Sequence, residues 1–204
     1  VTAPIIQAQL AETFITNQVN LQSIIATKAS RCVWAAKGKP VMDFSLRRAH
    51  GIDAGLKVAR ATYIAGFEST SNVLAGKVYG IPIGGTMAHS FISSFEDELE
   101  AFRAFASSFP DRCILLIDTY DTIQGARKAA VVGKELMAAG HCLQGVRLDS
   151  GCIDQLSQEV RKILDESGLE NCIIIASGAL DEYELDNLLR QGAKVDSFGV
   201  GTKV

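Results

Sequence analysis

Apolar residues along the chain fall into short unbroken runs separated by amphipathic stretches. The runs at 41–46, 81–84, 113–118, 143–149, 172–177 and 195–201 are continuous rather than alternating, as in strands buried on both faces. They predict six strands. Between them the apolar positions recur at helical spacing. Over 97–109, Leu99, Phe102, Ala106 and Phe109 share one face, and Glu98, Glu100 and Arg103 are left for solvent. Residues 121–139 and 153–167 repeat this pattern and 181–191 shorten it. Gly140, Gly168 and Gly192 follow these three helices, where a C-terminal glycine belongs. Residues 4–36 predict one long helical stretch, with or without a break, ended by Gly38-Lys39-Pro40. Residues 52–63 and 70–79 predict two helices between the first two strands.

A β-α repeat with a period of roughly 25–40 residues argues for a parallel sheet. Polar or glycine-rich residues follow nearly every strand: Arg47-Arg48, residues 86–90, 118–121 and 147–151, Ser177-Gly178 and residues 199–202. In a barrel all such ends meet at one mouth, whereas in an open sheet only those at the switch point meet. Six decorated ends favour a barrel. Six units are fewer than the usual eight, so the expected fold is an irregular or incomplete TIM-like (β/α) barrel. The 204 residues make one such domain, read as a fragment of a longer chain.

Composition narrows the function classes. The 20 Lys+Arg against 23 Asp+Glu give a net charge of −3, which excludes the basic surface of a general nucleic-acid binder. No apolar run reaches the roughly 20 residues of a membrane helix, and residues 1–10 lack the basic and apolar regions of a signal peptide. The five cysteines show no Cys-x-x-Cys spacing. Three of them (Cys113, Cys142 and Cys172) stand at or near strand starts, so reduced, buried thiols in a cytoplasmic protein are expected.

The strand ends carry the candidate chemistry. Arg47 and Arg48 offer planar forks for carboxylate or phosphate. Adjacent residues on a strand face opposite ways, so one of the two is expected in a site; the other use of such an arginine is pairing with a structural acid such as Asp43. His89 ends the turn Gly84-Gly85-Thr86-Met87-Ala88-His89, where an imidazole can be nucleophile, base or phosphate carrier as readily as a packed residue. Asp118 and Asp149 can hold hydroxyls or Mg²⁺. Asp121 is read as a helix cap, and Ser150 admits the same reading. Ser177-Gly178 and Gly199-Val200-Gly201-Thr202 supply unhindered N–H groups for a phosphate, or simply tight turns. The set suits a phosphorylated sugar.

Residues 43–51, Ser71-Asn72-Val73-Leu74-Ala75-Gly76, Gly85-Thr86-Met87-Ala88-His89-Ser90, Asp118-Thr119-Tyr120-Asp121-Thr122, Gly145-Val146-Arg147-Leu148-Asp149-Ser150-Gly151 and Phe198-Gly199-Val200-Gly201-Thr202 together resemble nicotinate phosphoribosyltransferases, in order and across essentially the whole chain. The resemblance implies a type II phosphoribosyltransferase barrel with a further N-terminal domain. It implies condensation of nicotinate with 5-phosphoribosyl pyrophosphate to nicotinate mononucleotide and pyrophosphate, in NAD salvage. Mg²⁺ would be the cofactor, ATP a co-substrate that phosphorylates His89, and the full-length protein a homodimer.

Carried over by motif, Arg47 would contact nicotinate or substrate phosphates, and Arg147 would flank the pyridine ring. Asp118 and Asp149 would serve catalysis by holding the ribose or Mg²⁺-pyrophosphate, with Asp149 nearest the metal. Ser177, Gly178, Gly199, Gly201 and Thr202 would cradle the 5′-phosphate. The family usually has Gly where Ser45 stands, a mild change, and Asp where Cys152 stands, which removes a hydroxyl or metal partner. Its N-terminal domain and the segment beyond the Gly-x-Gly-Thr turn are absent. The alternatives are a nicotinamide-using relative, against which the arginine pair argues, and a non-catalytic phosphoribosyl-ligand binding module.

Overall fold

A computed structural model of the chain describes residues 2–204. Six strands form one sheet: β1 (Val41–Asp43), β2 (Ser69–Thr70), β3 (Ile114–Leu116), β4 (Gly145–Leu148), β5 (Ile173–Ala176) and β6 (Ser197–Val200). Their order is β2-β1-β6-β5-β4-β3, and every pairing is parallel. The sheet is open. β2 and β3 are its two ends, so the expected parallel α/β architecture is present as a half-barrel.

Helices cover the sheet in the same order as the strands. They are α1 (Ile5–Ala35), α2 (Ile52–Ile64), α3 (Val73–Tyr79), the single turn α4 (His89–Ile92), α5 (Glu98–Ser108), α6 (Thr122–Ala138), α7 (Ile153–Glu166) and α8 (Glu182–Arg190). The contacts α5·α6, α6·α7, α7·α8, α8·α1 and α1·α2 make a continuous arc. Asp121 caps α6 by accepting from the Gln124 N–H, and Asp181 caps α8 by accepting from Tyr183 and Glu184. Gly140, Gly168 and Gly192 take positive φ after α6, α7 and α8. Val146, Leu148, Ile174, Ala176, Phe198 and Val200 join the main core. Full burial of a side chain such as Leu148 or Phe198 stabilises by about 1.5–3 kcal/mol. Arg147 and its register partner Ile175 alternate onto the opposite face.

Several sequence expectations are corrected. The run 81–84 makes only an isolated bridge, Thr70↔Ile83, because Pro82 has no N–H to donate. The second strand is instead β2, which overlaps the expected helix 70–79 only at Thr70. The helix starts later, at Val73, because Asn72 Oδ1 accepts from the Ala75 N–H. α1 is unbroken. Glu98 is buried beside Lys128 (3.3 Å) rather than solvated, and Phe109 is exposed. Cys32, Cys113 and Cys172 are buried, but Cys142 and Cys152 are exposed, and all five thiols are free. Among the described residues no helix is long and apolar enough to cross a membrane.

Candidate active site

The C-terminal ends of β1, β4, β5 and β6 open into one cleft of about 540 Å³. Its walls include Arg47, Arg147, Asp149, Ser177, Gly178, Gly199, Gly201 and Thr202, so most of the expected site residues meet there. His89 and Asp118 stand behind Asp149 rather than in the wall.

β1 stops where Asp43 turns the chain. This buried carboxylate accepts from the Ser45 N–H (2.9 Å) and from Thr70 Oγ1 (2.7 Å). It therefore pairs with no arginine, contrary to the structural alternative weighed above. The next residues form a 3-10 turn, Leu46–Arg48. Arg47 lines the cleft and Arg48 does not, but the turn separates them, not strand alternation. The Ser45 hydroxyl is buried without a partner.

Arg147 is the buried cation of the site, with its side chain 12% exposed. It donates to Thr86 Oγ1, and its guanidinium carbon lies 5.9 Å from the centre of the Phe44 ring, a cation–π arrangement. Burial pushes the guanidinium below its usual range, while Asp149 and Asp118 act the other way. It remains cationic at neutral pH, and its Nε has no partner. The arrangement leaves donor capacity for an anionic ligand.

Asp149 is tightly oriented. Ser177 Oγ donates to its Oδ1 (2.6 Å), and its backbone N–H donates to Asp118 Oδ2 (2.8 Å). Asp118 Oδ2 also accepts from Ser150 Oγ (2.7 Å), so Ser150 is not the cap of α7. That position is Cys152, which makes no side-chain cap bond. Asp118 Oδ1 is buried with no partner. His89 opens α4; its Nε2 is 3.9 Å from Asp149 Oδ2, and its Nδ1 is 3.1 Å from Thr119 Oγ1.

The glycines are explained by close approach. A Cβ on Gly178 (φ +92°) would strike the Asp149 carbonyl, and one on Gly199 would strike the Phe44 ring. On Gly201 it would lie 2.6 Å from the Phe44 carbonyl oxygen. Gly199 and Val200 belong to β6 rather than to the tight turn expected, and this Gly-Val-Gly strand end seats Phe44 whatever else its N–H groups do. Ala179 takes φ +49°, a conformation unusual for a residue with a Cβ.

Sequence reasoning missed Phe44, Thr86, Ser71 and Ala179, all in the cleft wall. The signal for Phe44 was an aromatic residue beside an arginine pair; nothing in the sequence marked Ala179. Cys152 lines a neighbouring groove with Asp154, Asp181, Glu184 and Lys203.

Residues 40–204 match the model of the nicotinate phosphoribosyltransferase (NAPRTase) family. A nicotinate phosphoribosyltransferase of Mycobacterium tuberculosis is 52% identical over 99% of this chain and 43% of its own length. That of Bacillus subtilis is 45% identical over 100% of this chain and 41% of its own length. The crystal structure of human nicotinic acid phosphoribosyltransferase superposes with a TM-score of 0.89 at 31% identity, covering 98% of this chain and 51% of that one. The chain thus spans less than half the length of these two bacterial relatives.

Proposed function

The chain belongs to the nicotinate phosphoribosyltransferase family, and we propose that it carries the substrate cleft of an enzyme that converts nicotinate and 5-phosphoribosyl pyrophosphate to nicotinate mononucleotide and pyrophosphate, a salvage route to NAD. The observation that carries this reading is Arg147: a largely buried cation over the Phe44 ring, with an unpartnered Nε, in the same cleft as the strand-end glycines. A flat aromatic acid needs such a pairing of ring face and cation. Arg47 adds a second cation at the mouth. Nicotinamide has no carboxylate to engage either, so the anionic ring is favoured.

In this reading the N–H groups around Gly178 and the Gly199–Gly201 strand end hold the 5′-phosphate, with Ser177 and Thr202 beside them. Asp149 and Asp118 hold the ribose. Transfer from this donor develops positive charge on the sugar while pyrophosphate departs, so the protein's work is orientation and charge stabilisation. The acids fit a cation that arrives with the donor: Mg²⁺ takes hard oxygens, commonly one or two carboxylates plus substrate phosphates, and Asp118 Oδ1 is a buried oxygen without a partner. Asp149 would hold the ion with Asp118 behind it. When bound, Mg²⁺ supplies neutralisation of the departing pyrophosphate.

ATP hydrolysis joins the reading through His89. The unprotonated imidazole nitrogen forms a bond to the γ-phosphorus, the bond to the bridging oxygen breaks onto ADP, the proton on the other ring nitrogen passes to solvent, and water later releases the phosphoryl group as phosphate. Closure of the half-barrel into a TIM-like barrel by the rest of a longer protein, assembly as a homodimer, and a cytoplasmic location complete it.

The test is an assay of the protein with nicotinate, 5-phosphoribosyl pyrophosphate, Mg²⁺ and ATP. Formation of nicotinate mononucleotide, lost in Asp149→Asn, is expected. Donor binding without turnover would leave the non-catalytic binding module, the reading to which Cys152 points.

A further inference from the structure

Thr119 follows Asp118 in the loop after β3. Its hydroxyl oxygen is 3.1 Å from His89 Nδ1. Among the described residues this is the only hydrogen bond of the His89 ring. The opposite nitrogen, Nε2, faces Asp149 Oδ2 at 3.9 Å, too far for a hydrogen bond. That carboxylate is itself fixed by Ser177 and by the Asp118 contact to its backbone.

The rest of the surroundings hold the ring weakly. His89 begins a four-residue helix after a glycine-rich turn, and its side chain is 41% exposed. One directional contact, from a loop on a different strand, therefore sets the plane of the imidazole.

We propose that Thr119 is a positioning residue for His89: its hydroxyl bonds Nδ1 and so directs Nε2 at Asp149. This rests on the reading that His89 receives a phosphoryl group. A threonine hydroxyl suits the task because it donates to a bare ring nitrogen and accepts from a protonated one. It keeps its grip in either state. The β-branched threonine side chain has restricted rotamers, which makes it a stiffer anchor than a longer hydroxyl-bearing or amide side chain.

The experiment has two readouts on the protein and on the variants Thr119→Val, Thr119→Ala and Thr119→Ser. The first is the ¹⁵N resonance of His89 Nδ1. The shift of a hydrogen-bonded Nδ1 is expected in the parent and in Thr119→Ser, and that of an unbonded Nδ1 in Thr119→Val and Thr119→Ala. The second is the rate of phosphoryl transfer from ATP to the protein. It should fall roughly 10–100-fold in Thr119→Val, the scale of a small misplacement of a reacting group, and recover in Thr119→Ser. Calorimetric binding of 5-phosphoribosyl pyrophosphate should stay within about twofold throughout, because Thr119 does not line the cleft. An Nδ1 resonance unchanged in folded Thr119→Val or Thr119→Ala overturns the proposal. A parent protein that takes no phosphoryl group from ATP overturns the reading of His89 instead, and the resonance still decides whether Thr119 holds the ring.

Discussion

Asp118 Oδ2 accepts the backbone N–H of Asp149 over 2.8 Å, so a side chain at the end of β3 sets the main chain at the end of β4. The same oxygen takes the Ser150 hydroxyl. Asp118→Ala removes both hydrogen bonds at once. It should cost about 1–3 kcal/mol in chemical denaturation and lower kcat/KM by roughly tenfold or more, because the Asp149 carboxylate loses its register. Unchanged stability would show that Asp149 keeps its place without Asp118.

Arg147→Lys keeps the charge and loses the fork. The bond to Thr86, the stacking on Phe44 and the free Nε all depend on the planar guanidinium. Loss of one directional charged contact is worth roughly 10–100-fold in kcat/KM for nicotinate. Steady-state kinetics on both pyridines checks this; nicotinamide, which lacks the carboxylate, should discriminate less between parent and variant.

Two neighbouring substitutions should move stability in opposite directions. Gly178→Ala places a methyl on the Asp149 carbonyl at φ +92° and should destabilise by at least about 1–2 kcal/mol. Ala179→Gly relieves a Cβ at φ +49° and should be neutral or stabilising, by up to about 1 kcal/mol. Thermal unfolding of the pair decides it.

The thiols should fall into two classes. Burial pushes Cys113 and Cys172 up to about 12. Burial, aided by Glu182, pushes Cys32 up to about 11. These three stay protonated and shielded, whereas Cys142 and Cys152 are exposed. A disulfide reagent at pH 8 should titrate Cys142 and Cys152 quickly in the native protein, and the remaining three only on unfolding.

Acid should loosen α1 from α8. Burial alone would raise the Glu182 carboxyl, but Lys28 and Arg31 outweigh it and hold it below its usual value of 4.5. The folded state therefore binds that proton less readily than the unfolded one. The stabilisation is complete above pH 4.5 and is lost as pH falls through the lower folded value. Lys28→Met should be less stable than the parent at pH 7, and the gap should narrow below about pH 4.5. Urea midpoints across pH 3–7 measure this.

The parts of the fold legible in the sequence are those where burial on both faces leaves a continuous apolar run, as in Ile114–Leu116 and Ile173–Ala176. The run 81–84 looks the same but contains Pro82, and a missing donor outweighs apolarity there. Asn72 was hidden inside a predicted helix although its side chain starts that helix. The cleft was legible because strand ends of parallel units converge. What was not legible is how each group is used. The sequence does not say that Asp118 bonds the main chain, that Asp43 holds Ser45 and Thr70, or that Gly199 makes room for Phe44. Each depends on which loop lies opposite, and that is a property of the closed-up chain.

The strand order has a consequence for how this molecule is made. β1 and β2 meet the remainder of the sheet only through the β1–β6 pairing, and contacts across that seam, such as Ser197 with Pro40, join residues 157 positions apart. During synthesis β1 and β2 wait, with the other edge of β1 unpaired, until β6 has left the ribosome. Pairing at such separation is slow, and a waiting strand edge is prone to pair with the wrong chain. The same seam that brings Phe44 against Gly199 thus closes only after β3, β4 and β5 have been made, and the cleft takes shape with it.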